Sequence, residues 1–122
     1  MRAIRLRDRP AAPVDTRHFT GAATMQPALA ADEGEPVRLY RVRFDEGGRT
    51  NWHRHDDVQV LYGLDGTCIV VNRAGEELLL GPGDVVVVEA GEEHWHGAAP
   101  GGPGEHLAVN VGTRTTWLEP VG

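Results

Sequence analysis

Hydrophobic and polar positions alternate in two runs near the start of the chain. In "VRLYRVRF" (residues 37–44), Tyr40, Val42 and Phe44 lie opposite Arg41 and Arg43, and "AIRLR" (residues 3–7) shows the same pattern. A period of two residues is typical of β-strands, so both runs are predicted to be strands. The segment between them, "RPAAPVDTRHFTGAATMQPALAADEGEP", has no sustained helical period. We predict a loop there, with room for a short helical turn, that covers an opening.

Turn signals recur regularly from Val37 onward. The segments "DEGG", "GLDG", "RAGEE", "GPGD", "EAGEE" and "PGGPG" separate short runs rich in Val, Leu and Ile. This pattern predicts an all-β sandwich or barrel. The run "DVVVVEA" is expected to be buried on both faces or covered by a neighbouring sheet, and "TRTTWLEPVG" to be one more extended piece. A chain of 122 residues is expected to form one domain, with residues 1–36 as an N-terminal strand and covering loop and residues 37–122 as the barrel.

Composition excludes several classes of function. The net charge is −6 and the arginines are scattered, so a nucleic-acid partner is not expected. The absence of lysine rules out Schiff-base chemistry on the chain. No apolar run approaches the length of about 20 residues that a membrane span needs, and the start lacks a signal core. We therefore expect a soluble cytoplasmic protein without a membrane partner, in which Cys68 is a buried, inert thiol.

Histidines dominate the candidate chemistry. Residues two apart in a strand point to the same face, so His53 projects with His55 and His94 projects with His96, while Gln59 shares the parity of His55. Such a pair, joined by a third imidazole, can surround one divalent cation. A single pair is weak evidence, because strands expose polar residues at alternate positions. Two pairs in one small barrel favour either a shared cation or a hydrogen-bond network.

Glycines around the histidines make the pattern more specific. Gly47, His53, His55, Gln59 and Gly66 have the spacing G-x5-H-x-H-x3-(E/Q)-x6-G, and "GDVVVVEAGEEH" has the spacing G-x7-G-x2-H. The two segments resemble the signature motifs of the cupin superfamily, and the resemblance extends roughly from Val37 to Val111. It implies a single-domain cupin, a jelly-roll-like antiparallel β-barrel that usually holds one metal ion.

The resemblance also implies a ligand set. His53, His55 and His94 match the three histidine ligands of the family, and Gln59 stands where glutamate is more common. Four neutral ligands would leave the full charge of a divalent ion, which would attract an alkoxide, hydroxide or other anion. The expected cofactor is one divalent transition metal ion, with manganese as the first choice and iron, nickel and zinc as alternatives.

A narrower resemblance concerns "GGRTNWHRH", "HWHGAAP", "EHLAVN" and "TWLEPV". These segments are similar to the small cupins that include manganese-dependent hydroxynitrile lyases and relatives associated with carboxymuconolactone decarboxylases. That group implies a pocket in which His106 or His96 is the catalytic acid or base beside the metal. We therefore expect a metal-dependent lyase acting on a small-molecule substrate. The alternatives are a metal-dependent dioxygenase and a non-catalytic module that binds or senses a small ligand.

Two further expectations concern residues outside the motifs. The alternation at Ile4 and Leu6 is too short to be stable alone and would suit an edge strand lent to a second copy, so a homodimer is expected. Asp56 and Asp57 replace the residues usual in the lyase-like pattern and are expected to form a solvated rim. His18, in the first loop, is expected to be exposed.

Overall fold

The computed structural model describes residues 1–112 and 114–122, and in that part of the chain it contains thirteen strands and two short 3-10 helices (Leu6–Asp8 and Ala31–Glu33). The strands of the first half are β1 (Ala12–Pro13), β2 (Phe19–Thr20), β3 (Ala23–Leu29), β4 (Val37–Phe44), β5 (Arg49–Thr50) and β6 (His53–His55). Those of the second half are β7 (Gln59–Gly66), β8 (Cys68–Asn72), β9 (Glu77–Leu80), β10 (Val85–Val88), β11 (His94–Ala98), β12 (Gly104–Val111) and β13 (Thr115–Trp117).

The strands form two antiparallel sheets. One sheet has the order β1-β3-β4-β12-β7-β10, and the other has the order β13-β6-β11-β5-β2, with β8 and β9 attached through β11. The hydrophobic core includes Phe44, Leu61, Cys68, Leu80 and Val88, which come from strands of both sheets. This arrangement confirms the predicted all-β, jelly-roll-like antiparallel architecture.

Strand register places one row of polar residues inside the barrel. In β12, His106, Ala108 and Asn110 are buried and share one face. Asn110 pairs with Arg38 of β4 on one side and with Gln59 of β7 on the other. Three polar side chains therefore start from directly neighbouring positions on three adjacent strands.

The turns explain the glycines of the two motifs. Gly47, Gly66, Gly83 and Gly91 all have φ between +60° and +83°, a region that other residues rarely adopt. At Gly66 a Cβ atom would also overlap the carbonyl oxygen of Pro103. The N–H of Gly91 donates to the carbonyl oxygen of His55 at 2.8 Å, so the turn of the second motif is bonded directly to the strand of the first.

The N-terminal segment differs from its prediction. Residues 3–7 form no strand; instead a 3-10 turn spans Leu6–Asp8, and Gln26 Nε2 donates to the carbonyl oxygens of Leu6 (2.8 Å) and Arg9 (2.6 Å). The predicted loop contains β3, which pairs with β4 in the six-stranded sheet, and Pro27 lies beyond the two β3 residues that pair with β1. Proline lacks an N–H group, so it is tolerated where no partner strand needs that donor. The strand prediction was wrong, and the loop prediction was wrong where β1, β2 and β3 lie, because pairing with distant strands, not local alternation, decides this segment. The short helical turn that the loop prediction allowed is present at Ala31–Glu33.

The valine run also differs from its prediction. Val86 and Val88 are buried, but Val85 and Val87 are 55% and 51% exposed, because alternate residues lie on opposite faces and no other strand covers the outer face of β10 in the described part of the chain. The homodimer loses its original basis, since Ile4 and Leu6 belong to no strand, and it stays a prediction. Within residues 1–112 and 114–122, no helix is long and apolar enough to cross a membrane.

Candidate metal centre

The predicted site residues come together inside the barrel. Strand β6 supplies His53 and His55, β7 begins with Gln59, and β11 carries His94 and His96. Strand β12 supplies His106 and Asn110 from the opposite sheet. These side chains are all buried, although most residues of these types lie at protein surfaces. Burial of so many polar groups requires that each finds a partner.

Backbone hydrogen bonds set the tautomers of two histidines. Nδ1 of His53 lies 2.9 Å from the carbonyl oxygen of Asn51, and Nδ1 of His94 lies 2.8 Å from the carbonyl oxygen of Glu92. A carbonyl oxygen only accepts, so each Nδ1–H donates and each Nε2 keeps a lone pair. The centroids of the two rings are 4.3 Å apart, and the ring planes are tilted by 50°. Both imidazoles are therefore oriented as metal ligands usually are.

The side-chain oxygen of Gln59 lies beside Nε2 of His94. Nε2 of Gln59 donates to Oδ1 of Asn110 at 2.7 Å, and in this orientation its Oε1 lies 2.9 Å from Nε2 of His94. With the proton of His94 on Nδ1, two lone pairs then point at each other without a proton between them. A cation bound by both atoms would remove this conflict, so the donor set fits a metal ion.

His55 adds an unsatisfied nitrogen. Its Nδ1 lies 3.0 Å from Oγ1 of Thr115, whereas its Nε2 is buried and has no hydrogen-bond partner among the described residues. The ring lies 5.0 Å from that of His53 and 5.5 Å from that of His94. The ring that carries the orphaned nitrogen thus lies close to the other two candidate ligands, which is a second observation that fits a metal ion.

The ligand atoms of a second trio of histidines also lie close together. Ligand atoms of His53, His94 and His96 all fall within 4.8 Å of one another, so these three side chains can also hold a divalent ion. The predicted set instead combined His53 and His94 with His55 and Gln59. The structure brings both sets into one cluster, and the choice between them stays a prediction.

His96 and His106 form a hydrogen-bonded pair. Nδ1 of His96 lies 2.9 Å from Nε2 of His106, so one of the two atoms donates its hydrogen and the other accepts. Phe44 packs beneath both rings, with centroid distances of 6.0 Å and 5.5 Å. Nδ1 of His106 has no partner among the described residues. The pair is therefore held rigidly and has an unused nitrogen at its far end.

Burial keeps the imidazoles neutral. Desolvation is the main cause that lowers the pKa of His55 and of His106 to about 4. Burial likewise lowers the pKa values of His53, His94 and His96, with a further contribution from neighbouring histidines for His53 and His96. Neutral imidazoles carry the lone pairs that metal coordination and proton transfer both need.

A cavity of about 390 Å³ opens beside the cluster. His53, His55, Gln59 and His96 lie on its wall, whereas His106 lies behind His96 and is not part of the wall. Other lining residues are Asp15, His18, Phe19, Met25, Arg38, Tyr40, Val42, Thr50, Ala108, Asn110, Thr115 and Trp117. The volume suits a small organic molecule.

Several residues lie where the sequence did not place them. His18 is only partly exposed; it lines the cavity and stacks on Trp117 with ring centroids 4.3 Å apart, so the prediction of an exposed residue was wrong. Arg38 and Thr115 are wall residues that sequence reasoning missed. The parity of Arg38 with Tyr40 in β4 was the signal that could have found it. Asp56 and Asp57 are exposed, as expected for a rim.

The fold and site together define a small antiparallel β-barrel with a buried three-histidine cluster. The family model described as "Cupin domain" matches residues 40–110, and the chain belongs to the cupin family. It is 37% identical to an (R)-mandelonitrile lyase from Granulicella tundricola over 106 residues, which cover 84% of this chain and 81% of the relative.

Two further similarities concern a solved structure and a shorter match. A cupin-like protein from Thermotoga maritima has a TM-score of 0.85 and 30% identity, with 91% of this chain and 86% of that chain covered. A stretch of 47 residues is 45% identical to an acireductone dioxygenase from Rhodopseudomonas palustris, covering 36% of this chain and 28% of the relative. The relatives thus include proteins named as enzymes of two different classes.

Proposed function

We propose that this protein is a metal-dependent lyase that cleaves a carbon–carbon bond in a small hydroxynitrile. The observation that carries the proposal is the hydrogen-bonded pair of His96 and His106, in which His96 lies beside the rings of His53 and His94 and on the wall of a small cavity. Similarity to an (R)-mandelonitrile lyase over most of the chain supports the same class of reaction.

The proposed ligands of one divalent ion are His53, His55, Gln59 and His94, with manganese as the first choice and iron, nickel or zinc as alternatives. The orphaned Nε2 of His55 and the contact between Gln59 and His94 support this set. A bound ion would supply Lewis acidity toward the substrate oxygen. All four ligands are neutral, so they would not offset the charge of the ion.

The proposed proton acceptor is His96, because it faces the cavity. When Nδ1–H of His96 donates to His106, the other nitrogen of His96 has a lone pair and can accept the hydroxyl proton of the substrate. The proton on Nδ1 can then shift to His106 along the 2.9 Å hydrogen bond. As the carbonyl forms, the bond to the nitrile carbon breaks, the electron pair leaves with cyanide, and the histidine pair returns a proton to it. The reaction needs no oxidant.

Metal content of single variants tests the ligand set. His55→Ala and His94→Ala are expected to lose the metal, whereas His96→Ala is expected to keep it. Untagged protein reconstituted with manganese, iron, nickel or zinc would be analysed by mass spectrometry. Loss of metal in His96→Ala together with retention in His55→Ala would reject the proposed set in favour of His53, His94 and His96.

Turnover of racemic mandelonitrile by the same samples tests the reaction. His106→Ala is expected to keep the metal and to lose about 10²–10⁴-fold in kcat, the usual contribution of acid–base catalysis. Leu79→Ala is the control, because Leu79 is 65% exposed and lies outside the cavity. Unchanged kcat in metal-replete His106→Ala would remove His106 from the mechanism. Absence of turnover in the manganese-loaded wild type would reject the lyase.

A second candidate is a metal-dependent dioxygenase, which the 47-residue similarity to an acireductone dioxygenase favours. Histidine-rich sites of this kind suit iron and nickel and leave positions open for substrate and oxygen. Substrate-dependent oxygen uptake by iron- or nickel-loaded protein would separate this reaction from lyase activity, which consumes no oxygen. Failure of both assays would favour a non-catalytic binding module.

A further inference from the structure

Arg38 is a buried cation in the wall of the cavity. It lies on the interior face of β4 and is 7% exposed, whereas Arg41 and Arg43 of the same strand point outward and pair with Glu105. Its neighbour across the sheet is Asn110, whose Oδ1 accepts a hydrogen bond from Gln59. The guanidinium therefore belongs to the same polar row as a proposed metal ligand.

The hydrogen bonds of Arg38 leave part of its guanidinium free. Nε donates to the carbonyl oxygen of Gly112 at 3.2 Å, and Nη1 donates weakly to Oγ1 of Thr115 at 3.4 Å. Among residues 1–112 and 114–122, Nη2 has no hydrogen-bond partner although it is buried, and no carboxylate forms an ion pair with Arg38. Burying a charged group without a counter-charge is costly, so an anion that enters the cavity would supply the missing partner.

The place of Arg38 links it to the histidine cluster. The hydroxyl of Thr115 contacts both Nη1 of Arg38 and Nδ1 of His55, so one side chain bridges the guanidinium and a proposed ligand. Both Arg38 and His55 line the cavity. A single small molecule can therefore contact the arginine and the histidines together.

The cavity presents little negative charge to an incoming anion. The acid among its lining residues is Asp15, which is exposed and already bound by Arg17, with Oδ2 and Nη2 2.6 Å apart. The imidazoles and the amide of Gln59 are neutral. The planar guanidinium has the geometry that binds a carboxylate through two hydrogen bonds.

We propose that Arg38 binds a carboxylate, so that the ligands of this cavity include small 2-hydroxy and 2-oxo acids. The carboxylate would contact the guanidinium of Arg38, and the adjacent hydroxyl or carbonyl oxygen would face the histidine cluster. Apolar side chains on the wall, including Phe19, Met25 and Val42, suit an aromatic or branched substituent. The inference rests on the proposed function only in taking this cavity as the substrate site.

Binding of a matched pair of probes tests the proposal. Mandelate and mandelamide have the same size and differ in charge, and their dissociation constants would be measured by calorimetry on metal-free and manganese-loaded full-length protein. The wild type is expected to bind mandelate at least about 10-fold more tightly than mandelamide in both forms. Arg38→Met is expected to raise the dissociation constant of mandelate by about 10- to 100-fold and to change that of mandelamide by less than about 3-fold, because only charge-assisted hydrogen bonds are lost. Arg7→Met, at an exposed position, is the control.

Each alternative outcome decides the matter. Equal binding of the two probes by the wild type refutes the proposal, and so does an unchanged preference for mandelate in Arg38→Met. If Arg38→Met does not fold, Arg38→Lys replaces it and is expected to keep the preference at a reduced level. Turnover of mandelonitrile without a preference for mandelate would leave the lyase standing and reject the role of Arg38. Loss of the preference for mandelate in Arg38→Met, without turnover of mandelonitrile by the wild type, would support the role of Arg38 and reject the lyase.

Discussion

Replacing Phe44 with alanine is expected to destabilise the barrel strongly. Phe44 is the largest fully buried side chain of the described residues, and it packs against the core and beneath the rings of His96 and His106. Truncation of a buried phenylalanine costs about 3–5 kcal/mol. An unfolding entropy of about 2.1 cal/mol/K per residue gives about 0.26 kcal/mol/K for a chain of 122 residues. The melting temperature should therefore fall by about 12–20 °C.

Thermal unfolding followed by circular dichroism measures this change, with guanidinium unfolding as an independent check. Leu79→Ala is the matched control, because Leu79 lies on β9 and is 65% exposed, so its free energy of unfolding should change by less than about 0.5 kcal/mol. A fall of less than about 4 °C for Phe44→Ala would refute the reasoning, since a residue that supports the core cannot be removed at so small a cost.

Three further outcomes are expected. Cys68 is fully buried, and burial is the main cause that raises the pKa of its thiol to about 12. It should therefore react with a thiol reagent only after denaturation, and rapid labelling of the native protein would contradict this. Gly97→Ala should cost about 1–3 kcal/mol, because a Cβ there would overlap the adjacent backbone, whereas Gly102→Ala meets open space and should melt like the wild type. Hydrogen bonds from Arg9 are the main cause that lowers the pKa of Glu33 to about 2. This ion pair therefore stabilises the fold fully above the ordinary carboxyl pKa and is lost as pH falls toward 2. Carboxyl NMR titration of Arg9→Ala should show a higher pKa for Glu33 that stays below its ordinary value, because the N–H of Ala30 still donates to the carboxylate.

Local patterns were sufficient for the strands that carry the candidate site. The alternation in β4 and the spacing of His53 and His55 follow from the two-residue period of a strand, which also holds in the folded barrel. The motif glycines were informative because each turn requires a positive φ. These features depend on neighbouring residues alone, so they can be predicted without knowledge of the fold.

Other features depend on pairing between distant segments. Strand β3 contains Pro27 and weak alternation, and it is a strand because β4 pairs with it. The contact between His96 and His106 joins two strands of opposite sheets. Arg38 lies on the same interior face of β4 as Tyr40 and Val42. In the sequence alone, an arginine next to apolar positions indicates that the buried part of the strand has ended. Its neighbours Asn110 and Thr115 show that the face continues as a polar one.

The position of Trp117 gives the site an optical reporter. Its ring stacks on His18 on one side and lies 4.7 Å from the ring of His53 on the other, and of the three tryptophans it is the one that lines the cavity. Trp52 packs instead under the guanidinium of Arg73. Occupancy at His53 should therefore change the fluorescence of Trp117 directly, while the other indoles provide a constant background. Binding can then be followed by emission alone, with Trp117→Phe as the silent variant.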